Sequence, residues 1–269
     1  ESSIFTFLTP ERLQIESFRE QLKELTQTTL INLVIIDESH CVSEWGHDFR
    51  TAYLNVSKNL KSHCVDINLI EPPLLALTAT ASPAVRRDMF RELNFDSRDP
   101  DSLQTPSSHE REELHLSITQ SKDSTKRADL TRIVFEEIPN QLDLDPLVAF
   151  SSQGNDSNCI IVFVPHVGGK FGTVKIKEHL EETARREGIT VNVGFYSGQK
   201  PKNFNGNWDE HKQEQADSFI KNETCILVAT NAFGMGIDKP NIRGTVHFGM
   251  PSSVEAFAQE FGRAGRDSK

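Results

Sequence analysis

The chain has 269 residues, of which 36% are hydrophobic and 25% charged, enough for two ordinary domains with a core each. No apolar run approaches the roughly 20 residues of a membrane span and no signal peptide is visible; Cys41, Cys64, Cys159 and Cys225 lie far apart without a CxxC, which speaks against a zinc knuckle or a disulfide framework and for a reducing, intracellular compartment. With 29 basic against 39 acidic residues the net charge is −10, which argues against a protein that coats nucleic acid indiscriminately but leaves room for a narrow basic track.

Residues 4–8 alternate as a strand does, and residues 10–25 place Leu13, Phe18, Leu22 and Leu25 at helical spacing. Residues 31–36 form a short continuous apolar run of the kind found in parallel strands covered on both faces, and residues 74–77 form another. Ser82 and Pro83 then open a helix to about Leu93, Ser as the N-cap and Pro in the first turn. Residues 94–112 are rich in Asn, Asp, Ser and Pro and read as a connection between domains.

The α/β rhythm then resumes. Strands are predicted at 114–118, 159–164, 190–196, 225–229 and 245–248, and helices at 125–138, 174–187, 209–221 and 254–261; Gly188 supplies a C-terminal stop. Residues 198–209, with Lys200, Lys202 and several Asn, read as a surface insertion, with a loop that touches DNA or a partner as the alternative. The alternation implies a parallel α/β fold in both halves: 1–94 as a first domain, 95–112 as linker and 113–269 as a second domain.

Asp37 and Glu38 follow the 31–36 strand directly, at the carboxyl end where parallel sheets bind ligands. There Asp37 can hold Mg²⁺, Glu38 can orient and activate an attacking water, and His40 can link the site to the neighbouring domain. A bare Asp-Glu pair is more often two solvated acids at a strand end, so the residues around it carry the case. Trp45 and Phe49 fit stacking on unpaired bases, a contact tolerant of sequence, with His47 and Arg50 able to relay it toward Glu38. Aromatics are otherwise core residues, but Gly46, Asp48 and the basic side chains beside them point to an exposed loop.

Asp37-Glu38-Ser39-His40 resembles motif II of superfamily 2 helicases, and Cys41 through Arg50 resembles the aromatic-rich loop of the RecQ helicases. Thr9-Pro10-Glu11-Arg12-Leu13 is similar to their motif Ib, Ala76-Leu77-Thr78-Ala79-Thr80-Ala81 to motif III, the run from Ala229 through Pro240 to motif V, and the run from Gln259 through Asp267 to motif VI. These motifs appear in family order along nearly the whole chain.

The resemblance implies two RecA-like parallel-sheet domains, the P-loop NTPase helicase core, with the first incomplete at its N-terminus. It implies ATP and Mg²⁺ as cofactors and DNA at a single-stranded/duplex junction as partner, with unwinding in the 3′ to 5′ direction in repair and recombination. Gly236, Asp238, Gln259, Arg263 and Arg266 would face the nucleotide with Asp37. Arg263 and Arg266, at i and i+3 of a helix end, would point across the cleft, Arg266 as the arginine finger. Thr78 and Thr80 would couple the cleft to DNA, and Thr230 would contact a phosphate without reading sequence.

Some segments depart from the pattern. The chain has no GxxxxGK[ST] loop, so the missing N-terminal helicase segment or other subunits are expected partners. In residues 164–173, Pro165 stands where a phosphate loop needs its first Gly and Phe171 follows Lys170; the resemblance assigns this segment to motif IV. Arg111-Glu112-Glu113-Leu114 stands where relatives have an Arg-Pro-Asn-Leu-like run. The alternative to a motor is a non-catalytic remnant acting as a DNA-binding or assembly module.

Overall fold

Short apolar runs pair as parallel strands in both halves of the chain, and amphipathic helices bury their apolar stripes against them. The computed structural model describes residues 5–43, 50–79, 81–105, 111–233 and 237–267. Packing divides the chain into two units, Glu1–Ser108 and His109–Lys269, so the division falls within the segment read as linker.

In the first unit Val34–Ile36 (β1) pairs in parallel with Leu74–Ala76 (β2), Val34 opposite Leu74 and Ile36 opposite Ala76. Helices Glu16–Thr26 (α1), Val56–His63 (α2) and Pro83–Leu93 (α3) accompany them. Ile36, Val42, Val56, Leu60, Val85 and Leu93 share one buried cluster. Ser82 caps α3 as the sequence predicts, its hydroxyl accepting from Val85 N–H at 3.3 Å. The expected burial of β1 on both faces is not met among the described residues: Ile36 is 6% exposed but Ile35 is 51% exposed.

Two expectations change here, and one helix is added. The described part of the 4–8 segment is irregular and Phe7 is 95% exposed, because alternation without a paired neighbour does not make a strand. The 10–25 helix is instead a 3-10 turn, Pro10–Gln14, followed by α1; Ile15 between them is extended (φ −79°, ψ 119°). Helix α2 carries no caps or long periodicity and was not expected.

The second unit is a four-stranded parallel sheet in the order β4-β5-β3-β6, built from Cys159–Phe163 (β3), Val193–Tyr196 (β4), Ile226–Ala229 (β5) and Ile242–His247 (β6). All residues of β3 and β5 are buried, as central parallel strands require. Lys126–Arg132 (α4) runs through a wide π turn, Ile133–Glu137, into Ile138–Gln141 (α5). Pro139 accounts for the widening: it has no N–H, and its ring would clash with the carbonyl four residues back in a regular helix.

Thr173–Glu187 (α6) ends on Gly188 at φ 70°, the left-handed stop expected there. Trp208–Ile220 (α7) is capped by Asn207, and Val254–Phe261 (α8) by Ser253. The 114–118 segment is not a strand: Leu114 packs against the core while Ile118 is fully exposed. The 198–209 insertion folds back on α7, with the Phe204 ring 5.0 Å from Trp208 and 4.7 Å from His211.

Candidate active site

Asp37 and Glu38 stand at the carboxyl end of β1, and the β1–β2 ladder continues past the strands to hold them. Leu77 N–H donates to Ile36 O at 2.8 Å, and Ser39 returns both its N–H (2.9 Å) and its hydroxyl (2.8 Å) to Leu77 O. The acid loop is thereby fixed to the segment that begins Leu77-Thr78. Tyr53 O–H donates to Asp37 O at 3.2 Å. Burial, then the Cys41 thiol and the Asp37 and Glu38 carboxylates, push the Tyr53 phenol up; the Arg50 guanidinium opposes them.

Glu38 adopts the left-handed conformation, φ 48° and ψ 42°, which costs a non-glycine residue about 1–2 kcal/mol. Its N–H is satisfied by Asp37 Oδ1 at 2.9 Å. Its carboxylate Oε2 lies 3.2 Å from His40 Nδ1, and the same nitrogen lies 2.9 Å from Thr78 Oγ1. His40 is 2% exposed, so this bridge is enclosed while the Glu38 side chain remains 53% exposed. Asp37 is also exposed, and its Oδ1 is engaged only by the neighbouring amide among the described residues. A carboxylate placed so at a strand tip fits a hard divalent cation, directly or through water. The structure brings together Asp37, Glu38, His40 and Thr78.

The described residues on either side of 44–49 are anchored. Ser43, itself fully buried, donates to Asp88 Oδ2 of α3 at 2.6 Å, and Arg50 N–H donates to Cys41 O at 3.0 Å. Arg50 extends its guanidinium to Glu11 and lies over the Tyr53 ring at 5.6 Å. Its hydrogen bond to the Glu11 carboxylate, which accepts, raises the Arg50 guanidinium above its ordinary value. Arg50 thus ties the start of the 50–55 segment to the Pro10–Gln14 turn. Trp45, His47 and Phe49, with Thr80 and Gly236, lie outside the described residues.

In the second unit Thr230 follows β5; it is 7% exposed, and its N–H donates to Tyr196 O at 3.2 Å. Asp238 is exposed and accepts from Arg266 Nη1 at 2.9 Å. Gln259 is half-buried on α8. The expected placement of Arg263 and Arg266 on a helix end is corrected: α8 stops at Phe261, and both arginines belong to the turn beyond it, where Gly265 takes φ 66°. Arg263 is 8% exposed.

Residues that drew no attention in the sequence hold this turn. Arg243 forms a two-point pair with Asp267 at 2.7 and 2.9 Å, and His247 Nε2 lies 3.0 Å from Glu260 Oε2. Gly265 N–H donates to Ile242 O at 3.0 Å. Each joins groups distant in sequence, so no local spacing could reveal it.

Two family profiles match the chain: DEAD/DEAH box helicase over residues 2–88 and helicase conserved C-terminal domain over residues 143–268. The probable ATP-dependent DNA helicase RecS of Bacillus subtilis is 33% identical over 98% of the chain and 44% of that protein. ATP-dependent DNA helicase RecQ of the same organism is 33% identical over 97% and 36%, and ATP-dependent helicase wrn-1 of Caenorhabditis elegans 30% over 98% and 21%. The chain spans less than half the length of these relatives. Among solved structures, the DEAD-box helicase Mss116 bound to ssRNA and UDP-BeF aligns with a TM-score of 0.60 at 18% identity, over 97% of this chain and 46% of that one. The DUF1998 helicase MrfA bound to DNA and AMPPNP aligns with a TM-score of 0.57 at 19% identity, over 96% and 32%. At such identities the structural likeness establishes the fold, two RecA-like parallel-sheet units.

Proposed function

The chain belongs to the RecQ-like helicases, and on that premise we propose that it forms the hydrolytic part of an ATP- and Mg²⁺-dependent DNA helicase that unwinds in the 3′ to 5′ direction. The observation that carries the reading is the Glu38–His40–Thr78 bridge behind an exposed Asp37 at the end of a parallel strand.

ATP as substrate supplies the phosphoanhydride bond whose cleavage drives movement. Asp37 would hold Mg²⁺, which would neutralise charge on the phosphates. Glu38 orients the water and accepts its proton, and its left-handed backbone sets the direction of that carboxylate. Arg266, released from Asp238, meets negative charge developing at the γ-phosphate, with Arg263, Asp238, Gln259 and Gly236 lining the nucleotide. Thr78, Thr80 and Thr230 contact the DNA backbone, and the 44–50 segment, with Trp45, His47, Phe49 and Arg50, senses unpaired bases. His40 carries that signal to Glu38. A role in DNA repair and recombination accompanies this reading.

DNA-stimulated ATP hydrolysis by the full-length gene product, beside a Glu38→Gln variant, tests it. The expected result is a loss of hydrolysis by roughly 10²-fold or more with nucleotide binding retained. The same low hydrolysis in both proteins would instead support a non-catalytic DNA-binding or assembly module, in which Arg266 stays engaged by Asp238 as it is in this structure.

A further inference from the structure

The turn that carries Arg263 and Arg266 is gripped by a residue far away in sequence. Arg111 Nη2 donates to Ala264 O at 3.1 Å and to Gly265 O at 3.2 Å, and Arg111 Nε pairs with Glu113. One nitrogen with two protons thus serves two successive carbonyls just past the end of α8, where the helix leaves partial negative charge. Packing supports the grip. A Cβ on Gly265 would meet Leu114 Cδ2 at 3.1 Å, Glu113 Cγ at 3.2 Å and Arg111 Nη2 at 3.6 Å. Gly265 is therefore both the left-handed corner of the turn and the gap into which residues 111–114 fit. From the other side Gly265 N–H is held by Ile242 O, so the corner is clamped between β6 and the segment that leads into the second unit.

We propose that Arg111 is a positioning residue for hydrolysis: by holding the Ala264 and Gly265 carbonyls it sets the direction of the guanidinium of Arg266, the next residue in the chain. Arg111 itself touches no nucleotide. Its grip makes the geometry of the arginine turn depend on the path of the 111–114 segment, so that movement of this segment is felt at Arg266. The proposal rests on the hydrolytic reading above.

The test compares the full-length gene product with its Glu38→Gln, Arg111→Ala and Arg111→Lys variants. Three quantities are read: kcat and KM for ATP at saturating oligonucleotide, and hydrogen exchange of the peptide covering residues 259–267. The Arg111 side chain is 38% exposed, so its removal leaves the core intact. In Arg111→Ala, kcat falls roughly 10- to 100-fold while KM for ATP stays within about twofold, as expected for misplacement of a catalytic group. Exchange at 262–267 accelerates in the same variant. Arg111→Lys, a point charge without the planar fork, recovers part of kcat. An unchanged kcat with accelerated exchange, a lost kcat without accelerated exchange, or a rise in KM that accounts for the whole loss overturns the proposal. Absence of Glu38-dependent hydrolysis in the parent protein sinks the hydrolytic reading and this proposal with it, an outcome distinct from a defect confined to Arg111.

Discussion

His40 Nδ1 lies 2.9 Å from Thr78 Oγ1 and 3.2 Å from Glu38 Oε2, so one buried imidazole nitrogen serves both the acid loop after β1 and the threonine loop after β2. A shift of Thr78 by an ångström alters the hydrogen bond that fixes Glu38. This is a short mechanical path between the segment proposed for DNA contact and the group proposed for water activation. Thr78→Val, which keeps the shape and removes the hydroxyl, is expected to blunt the stimulation of ATP hydrolysis by DNA more than it lowers the basal rate. A double-mutant cycle of Thr78→Val with His40→Ala, read on stability, should return a coupling of about 0.5–1.5 kcal/mol. Additive effects, or DNA stimulation equal to that of the parent, would show that the bridge transmits nothing.

Glu38 occupies a backbone region that favours glycine, at φ 48° and ψ 42°. Strain retained at a carboxylate is consistent with a position chosen for chemistry rather than for stability. Glu38→Gly should therefore raise the thermal midpoint by relieving about 1–2 kcal/mol of strain, offset in part by glycine's greater unfolded-state freedom, while abolishing hydrolysis. Glu38→Ala loses hydrolysis without the stability gain. A Gly variant that melts no higher than the Ala variant would remove the argument.

The parallel α/β class and the strand that ends just before Asp37 were legible because short apolar runs bounded by turn residues report burial directly: the described strands at Ile226–Ala229 and Cys159–Phe163 lie within a residue of where the sequence puts them. The caps at Ser82 and Gly188 were legible for a local reason, since each acts on its own backbone. What stayed hidden was set by partners. Residues 114–118 alternate well, yet Leu114 is claimed by the Gly265 corner and no ladder forms. The π turn before Pro139 follows from a clash that spacing rules do not register. At the site, the acids could be read because adjacent residues carry the signal. The Arg111, Arg243 and His247 contacts could not, since each closes a loop of many residues, or meets a backbone carbonyl that has no sequence signature.

His211 packs among Phe195, Phe204 and Trp208, with ring centroids at 4.8, 4.7 and 5.2 Å, and its Nε2 is buried without a hydrogen-bond partner among the described residues. Burial lowers its affinity for a proton; the Lys177 charge acts in the same direction and the Glu214 charge against it. Burial also lowers His179, which is opposed by its bond to Arg127 O. A histidine whose folded value is depressed contributes no penalty above its unfolded value near 6.5. Below that value the unfolded chain takes up a proton that the folded chain resists, so stability falls with pH until the folded value is passed. Unfolding measured between pH 7.5 and 5.5 should therefore show a loss of stability on acidification. His211→Phe, which suits the aromatic surroundings and cannot titrate, should flatten that slope. If the variant and the parent lose stability in parallel, or the parent gains stability toward pH 5.5, then the buried imidazole in the 198–211 cluster is not what the proton acts on.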